Sequence, residues 1–157
     1  MSGTKHTAAG AAITDLIVEI FRLNGRLLAE GDRLVAGLGM TSARWQVLGA
    51  IALSPAPEPV ARLARGMGLN RQGVQRIVNE LAAEGFVEFQ DNPHHRRARL
   101  VVLTDAGRNA YMAATALQVP WANALAKGID LADIAIAART LEVVRMRLRS
   151  ETSDETE

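Results

Sequence analysis

The sequence predicts a mainly α-helical chain with one small β-hairpin, and three observations lead there. Apolar residues recur at helical spacing through most of the chain, and the period changes to alternation only around 86–103. The segment 59–104 strings together a short helix, a glycine-bearing turn, a second helix and a basic hairpin loop. At 157 residues the chain is one domain by length, with room for a single real core.

The first dozen residues are small and polar and are expected to be flexible. Ile13, Leu16, Ile17, Ile20, Phe21, Leu27, Leu34 and Val35 then predict a helix over 14–36. Gly25 and Gly31 each cost that helix roughly 1 kcal/mol against alanine, so it needs tertiary support. The glycines at 37 and 39 end it. Thr41 or Ser42 caps a second helix, in which Trp45, Val47, Leu48 and Ile51 face inward. That helix stops at SPAPEP, whose three prolines predict a loop.

A short helix over 60–65 is cut off by Gly66, Met67 and Gly68, and another starts behind Asn70, which makes a helix-turn-helix. The Asn70 side-chain oxygen can accept orphan N–H groups of the first turn, and Gly85 can take the left-handed conformation that follows a helix end. These two bracket a helix over 71–84. Val74, Ile77, Val78 and Leu81 make its buried stripe, leaving Arg71, Gln72, Gln75, Arg76 and Asn79 on the wet face. Arginine can bind guanine bidentately, and glutamine or asparagine can bind adenine, so this face has donors and acceptors suited to a major groove.

After Gly85 two strands alternate, over 86–89 and 100–103, around the loop DNPHHRRAR. Asn92 and Pro93 are its turn formers. Arg96, Arg97 and Arg99 are its cations, suited to a minor groove or the flanking phosphates. A polar helix face beside a solvated loop is the bland alternative. The two strands and their loop make a wing beside the 71–84 helix, the layout of a winged helix, and cap, stripe, wing and loop cations occurring together and in order favour DNA contact over it. His94 and His95 are adjacent, point in different directions and have only Asp91 near, so they read as solvated or phosphate-contacting rather than as metal ligands.

Beyond the wing Thr104 caps a helix carrying Ala110, Tyr111, Ala114 and Leu117, which Pro120 is expected to kink or break. Asp130 caps a last helix through Ile134, Ala138, Leu141, Val144 and Leu148, and an acidic tail over 150–157 is expected to be disordered. The apolar stripes of the terminal helices exceed what one winged helix needs. They are buried either against one another within the chain or against a second copy.

The composition excludes several function classes. There is no cysteine, hence no disulfide and no thiolate metal site. No G-x-S-x-G, phosphate-binding glycine loop or carboxylate pair beside a nucleophile occurs, so no enzyme, cofactor or metal is expected. No stretch of about 18 apolar residues and no signal-peptide core occurs, so a soluble, cytoplasmic protein without membrane contact is expected. Net charge is only +1, but between Val60 and Arg99 seven arginines face four acids. Positive charge is thus concentrated where DNA would sit.

The stretch RQGVQRIVNELAAEGFVE, followed by NPHHRRARLVVLTDAG, resembles the MarR family of bacterial transcriptional regulators, whose wing usually reads N-P-x-D-R-R-x-x-x-L-x-L-T-x-x-G. The match spans about a quarter of the chain. His95 departs from it, standing where the family has aspartate; either Asp91 takes over as brace of the wing arginines or the wing is looser. The resemblance implies a winged helix-turn-helix over 41–104, with helices over 14–38 and 105–149 interleaving into a homodimer. It implies double-stranded DNA as partner, most often repression at a pseudo-palindromic operator, and release by a small aromatic or phenolic ligand. Arg44 and Trp45, near the junction of dimer helices and winged helix, would supply that ligand with a cation and a ring. The runner-up is a winged-helix protein-interaction module without DNA binding. Apolar anchors on the exposed helix face would mark such a module, and this face has none.

Overall fold

A computed structural model describes residues 5–151. The chain divides into two compact units between Gln118 and Val119. In the first, α1 spans Ala8–Val35. It starts before the expected 14 because Thr7 Oγ1 accepts the Gly10 N–H at 3.0 Å and Ala8, Ala9, Ala11 and Ala12 are strong helix formers. Residues 8–12, expected to be flexible, are therefore helical. A 3₁₀ turn over Ala36–Leu38 leads to Gly39, at φ 64°, and α2 follows over Ser42–Leu53. Thr41 is its cap, accepting the Arg44 N–H at 3.3 Å. The Ser42 N–H goes instead to Asp32 Oδ1 at 2.6 Å, which ties the end of α1 to the start of α2. Gly31 permits this approach, since a Cβ there would lie 2.6 Å from Ser42 Oγ.

SPAPEP is not all loop. Glu58–Pro59 form a short edge strand, β1, paired antiparallel to β3 (Leu100–Leu103) with Glu58 opposite Val101 and Pro59 opposite Leu100. Proline lacks a donor and is tolerated on an edge. Helix α3, Val60–Met67, runs through Gly66, and the residue that ends it is Gly68 at φ 67°. Helix α4 covers Arg71–Ala83, and β2, Val87–Gln90, pairs with β3 from Val87 opposite Leu103 to Gln90 opposite Leu100. The sheet order is β1-β3-β2.

Val35, Val47, Leu48, Leu63, Val74, Val78, Leu81 and Val101 are buried together, so α1's last turn, α2, α3, α4 and the sheet share one core. Helix α5, Asp105–Leu125, is joined to it at its start. Thr104 Oγ1 accepts the Gly107 N–H at 3.1 Å and donates to the Gly85 carbonyl at 2.6 Å. A Cβ at Gly107 would overlap the Phe86 carbonyl oxygen, so only glycine fits there. Pro120 lies inside α5, which continues to Leu125 and is not broken. The alanines around it supply the helix propensity that offsets one missing hydrogen bond.

In the second unit Gly128, at φ 81°, separates α5 from α6, Leu131–Glu151. Asp130 Oδ1 accepts the Ala132 N–H at 2.8 Å, the expected cap. Residues 150 and 151, assigned to the acidic tail, are helical, and the rest of that tail lies outside the described residues. Among the described residues no helix is long and apolar enough to cross a membrane. The fold is mainly helical with a small three-stranded antiparallel sheet, a winged helix-turn-helix extended by long terminal helices.

Candidate nucleic-acid interface

Helix α4 has two chemically opposite faces. Val74, Val78 and Leu81 are essentially inaccessible and Ile77 is half-buried, so burial of this stripe sets which side chains point outward. Asn70 Oδ1 accepts the Gly73 N–H at 2.7 Å and fixes where the helix begins. At the other end the Phe86 N–H reaches back to Leu81 O at 2.9 Å across Gly85, which adopts φ 80°.

Arg71, Gln72, Gln75, Arg76 and Asn79 consequently line one open groove, about 630 Å³, together with Glu80. Two ties organise it. Gln75 Nε2 donates to Asn79 Oδ1 at 3.0 Å, and Arg76 meets Glu80 at 3.6 Å, both one helical turn apart. Both are exposed, so water or a nucleic acid can replace them at little cost. Glu80 places an acid on this face that the sequence reading did not single out.

The wing is pinned by Asn92, which does more than form a turn. It is buried, its Nδ2 donates to Ala98 O at 2.8 Å, its Oδ1 accepts the His94 N–H at 3.0 Å, and its carbonyl accepts the His95 N–H at 3.2 Å. These bonds close the loop from within. Asp91 pairs with none of the wing arginines, and among the described residues Arg71, Arg96 and Arg97 have no carboxylate partner. His94 and His95 are exposed beside them. Arg99 differs from its neighbours. Its guanidinium donates to Phe89 O at 2.7 Å and lies 5.3 Å from the centre of the Phe89 ring, so it braces the base of the wing.

Helix and wing meet around a cleft of about 220 Å³, whose lining includes Pro59, Arg71, Gln75, Phe89, Arg97 and Arg99. Four of the eight sequence-predicted residues thus converge here, two from α4 and two from the wing. Gln72, Arg76 and Asn79 lie further along the helix groove, and Arg96 lines neither opening. Pro59 and Phe89 went unnoticed in the sequence because apolar residues in a prolyl loop and a strand carry no binding signal of their own.

Arg44 and Trp45 sit elsewhere, in the first turn of α2. Trp45 is half-buried and packs against the core. The Arg44 side chain is 15% exposed, pairs with Glu84 Oε2 and lies 5.9 Å from the centre of the Phe86 ring. Its guanidinium therefore has two partners within the chain.

A helix-turn-helix with an arginine-bearing wing defines a winged-helix protein of the kind that regulates transcription. Comparison with known proteins gives the family. Residues 38–98 match the MarR family. The uncharacterised protein Rv2011c of Mycobacterium tuberculosis is 36% identical over 139 residues, covering 88% of this chain and 96% of that one. The transcriptional activatory protein BadR of Rhodopseudomonas palustris is 29% identical over 98 residues, 61% of this chain and 56% of its own. The crystal structure of CouR from Rhodococcus jostii RHA1, bound to p-coumaroyl-CoA, matches with a TM-score of 0.74 at 22% identity, covering 83% of this chain and 92% of that one. The chain belongs to the MarR family of winged-helix transcriptional regulators.

Proposed function

We propose that this protein is a homodimeric, sequence-specific DNA-binding repressor, in which α4 enters the major groove and the wing reaches the adjacent minor groove or backbone. The observation that carries this reading is the convergence of Arg71 and Gln75 from α4 with Arg97 and Arg99 from the wing around one cleft. A base-reading amide and arginine cations on one surface match what a duplex presents. The dimer is supported by the apolar face of α1, where Phe21 is 72% exposed and Leu23, Leu27 and Leu28 are exposed with it, and by exposed Ile134, Leu141 and Leu148 on α6. A two-fold axis then sets two α4 helices about one helical turn of DNA, roughly 34 Å, apart, and the operator is an imperfect palindrome. The released state is reached by binding a small aromatic or phenolic ligand, of which the p-coumaroyl thioester on CouR is one chemical example.

Selection of bound duplexes from a random pool yields the operator, and anisotropy titrations at two salt concentrations then separate the roles. Gln75→Ala is expected to weaken the selected site by roughly 1–3 kcal/mol while leaving random DNA nearly unchanged. Arg97→Ala weakens both alike and lowers the salt slope by about 1. Equal losses on both DNAs for Gln75→Ala would remove the base-reading role. A promoter reporter whose output rises with the protein present would reassign it to the activating sense that BadR carries.

A further inference from the structure

We infer that Arg44 and Glu84 form a positioning pair that sets the orientation of α4 on α2, and so the alignment of the polar α4 face with its operator. This deepens the DNA-binding reading and rests on it for its functional consequence. The two residues lie forty positions apart in sequence, Arg44 in the first turn of α2 and Glu84 as the residue that closes α4. Arg44 is largely buried, stacked over Phe86, and its Nε is buried with no hydrogen-bond partner.

Two features mark the pair as an orienting device rather than a source of stability. A carboxylate at a helix C-terminus opposes the helix dipole, so Glu84 is unfavourable on α4 alone and is compensated by the cation facing it. The Arg44 guanidinium is largely buried with an unsatisfied N–H, which is costly, while Glu84 is half-exposed to water that screens the attraction, so the pair adds little net stability. What the ion pair adds is direction. The stripe of Val74, Val78 and Leu81 holds α4 by apolar packing, which is non-directional, whereas a charge-assisted hydrogen bond fixes distance and angle. At the other end of α4 the Asn70 cap binds only within its own helix. Glu84 is thus where α4 is held to α2 by a directed contact.

The test compares wild type with Arg44→Glu, Glu84→Arg, the conservative Arg44→Lys and the swap R44E/E84R. The swap puts an acid in the first turn of α2 and a cation at the end of α4, both favoured by the helix dipoles, so it remains foldable where a single variant fails. The first readout is the ratio of affinities for the selected operator and for random DNA. Each charge-reversing single variant is expected to lower this ratio about tenfold with random-DNA affinity held, and the swap to restore most of it. Arg44→Lys falls between. The second readout needs no DNA: residual dipolar couplings of α4 amides against those of α2 should shift in the single variants and return in the swap. Folded single variants with wild-type ratio and couplings overturn the proposal, as does a folded swap that restores neither. A wild type that prefers no DNA sequence would instead sink the DNA-binding reading, and the couplings alone would then decide whether the pair orients α4.

Discussion

Helices α4 and α6 both carry apolar residues at helical spacing, and the molecule treats them in opposite ways. In α4 the stripe of Val74, Val78 and Leu81 is buried within its own unit, and the polar face is what remains for a partner. In α6 the residues Ile134, Leu141 and Leu148 are exposed, and Leu131 at its start is 78% exposed. Helix α1 combines both cases, with Val35 in the core and Phe21, Leu27 and Leu28 exposed. The contrast separates two uses of the same pattern. An apolar stripe satisfied inside the chain leaves a polar face outward, whereas one left outside is, on the proposed reading, the surface that a second copy covers.

Three substitutions test this contrast. The largest effect is expected from Leu81→Ala, which removes side-chain volume from a closed core; urea unfolding should show a loss of roughly 2–5 kcal/mol. A loss below about 1 kcal/mol would mean that the α4 stripe is not the closed core described. Next, changing both Leu141 and Val144 to glutamate puts charge into the face assigned to the second copy. Light scattering should then give about half the wild-type mass while far-UV circular dichroism stays helical, and a wild type that is monomeric at micromolar concentration would break the contrast outright. The smallest effect belongs to Asn70→Ala, which removes a cap but no packing; it should cost about 1 kcal/mol and leave the mass unchanged. An unchanged melting temperature would show that the stripe alone holds the start of α4.

The winged segment was the most legible part of the chain because its signals are local. Asn70 binds the N–H three residues on, Gly85 sits where a left-handed residue is required, and Thr104 caps the helix that begins beside it. The start of α1 has a local signal too, Thr7 ahead of an alanine-rich run, although small and polar residues of this kind are equally common in flexible termini. Strand β1 had none. Glu58 and Pro59 are extended because β3, far along the chain, offers them a ladder, and three prolines read locally as a loop. The residue type of Asn92 predicts a turn former, while its clamp on Ala98 depends on the fold of the whole wing.

The helix-turn-helix, the two wing strands and the set of polar residues on α4 are legible in residue order alone, because each depends on contacts within about one turn or one hairpin. Folding settled which of those residues share a surface, since convergence of Arg71 and Gln75 with Arg97 and Arg99 requires two elements to approach in space. It also decided that Arg99 braces the wing and that Arg44 faces Glu84. A charged side chain selects its partner by distance in the folded chain, where burial strengthens the interaction, and residue spacing along the sequence carries no record of that distance.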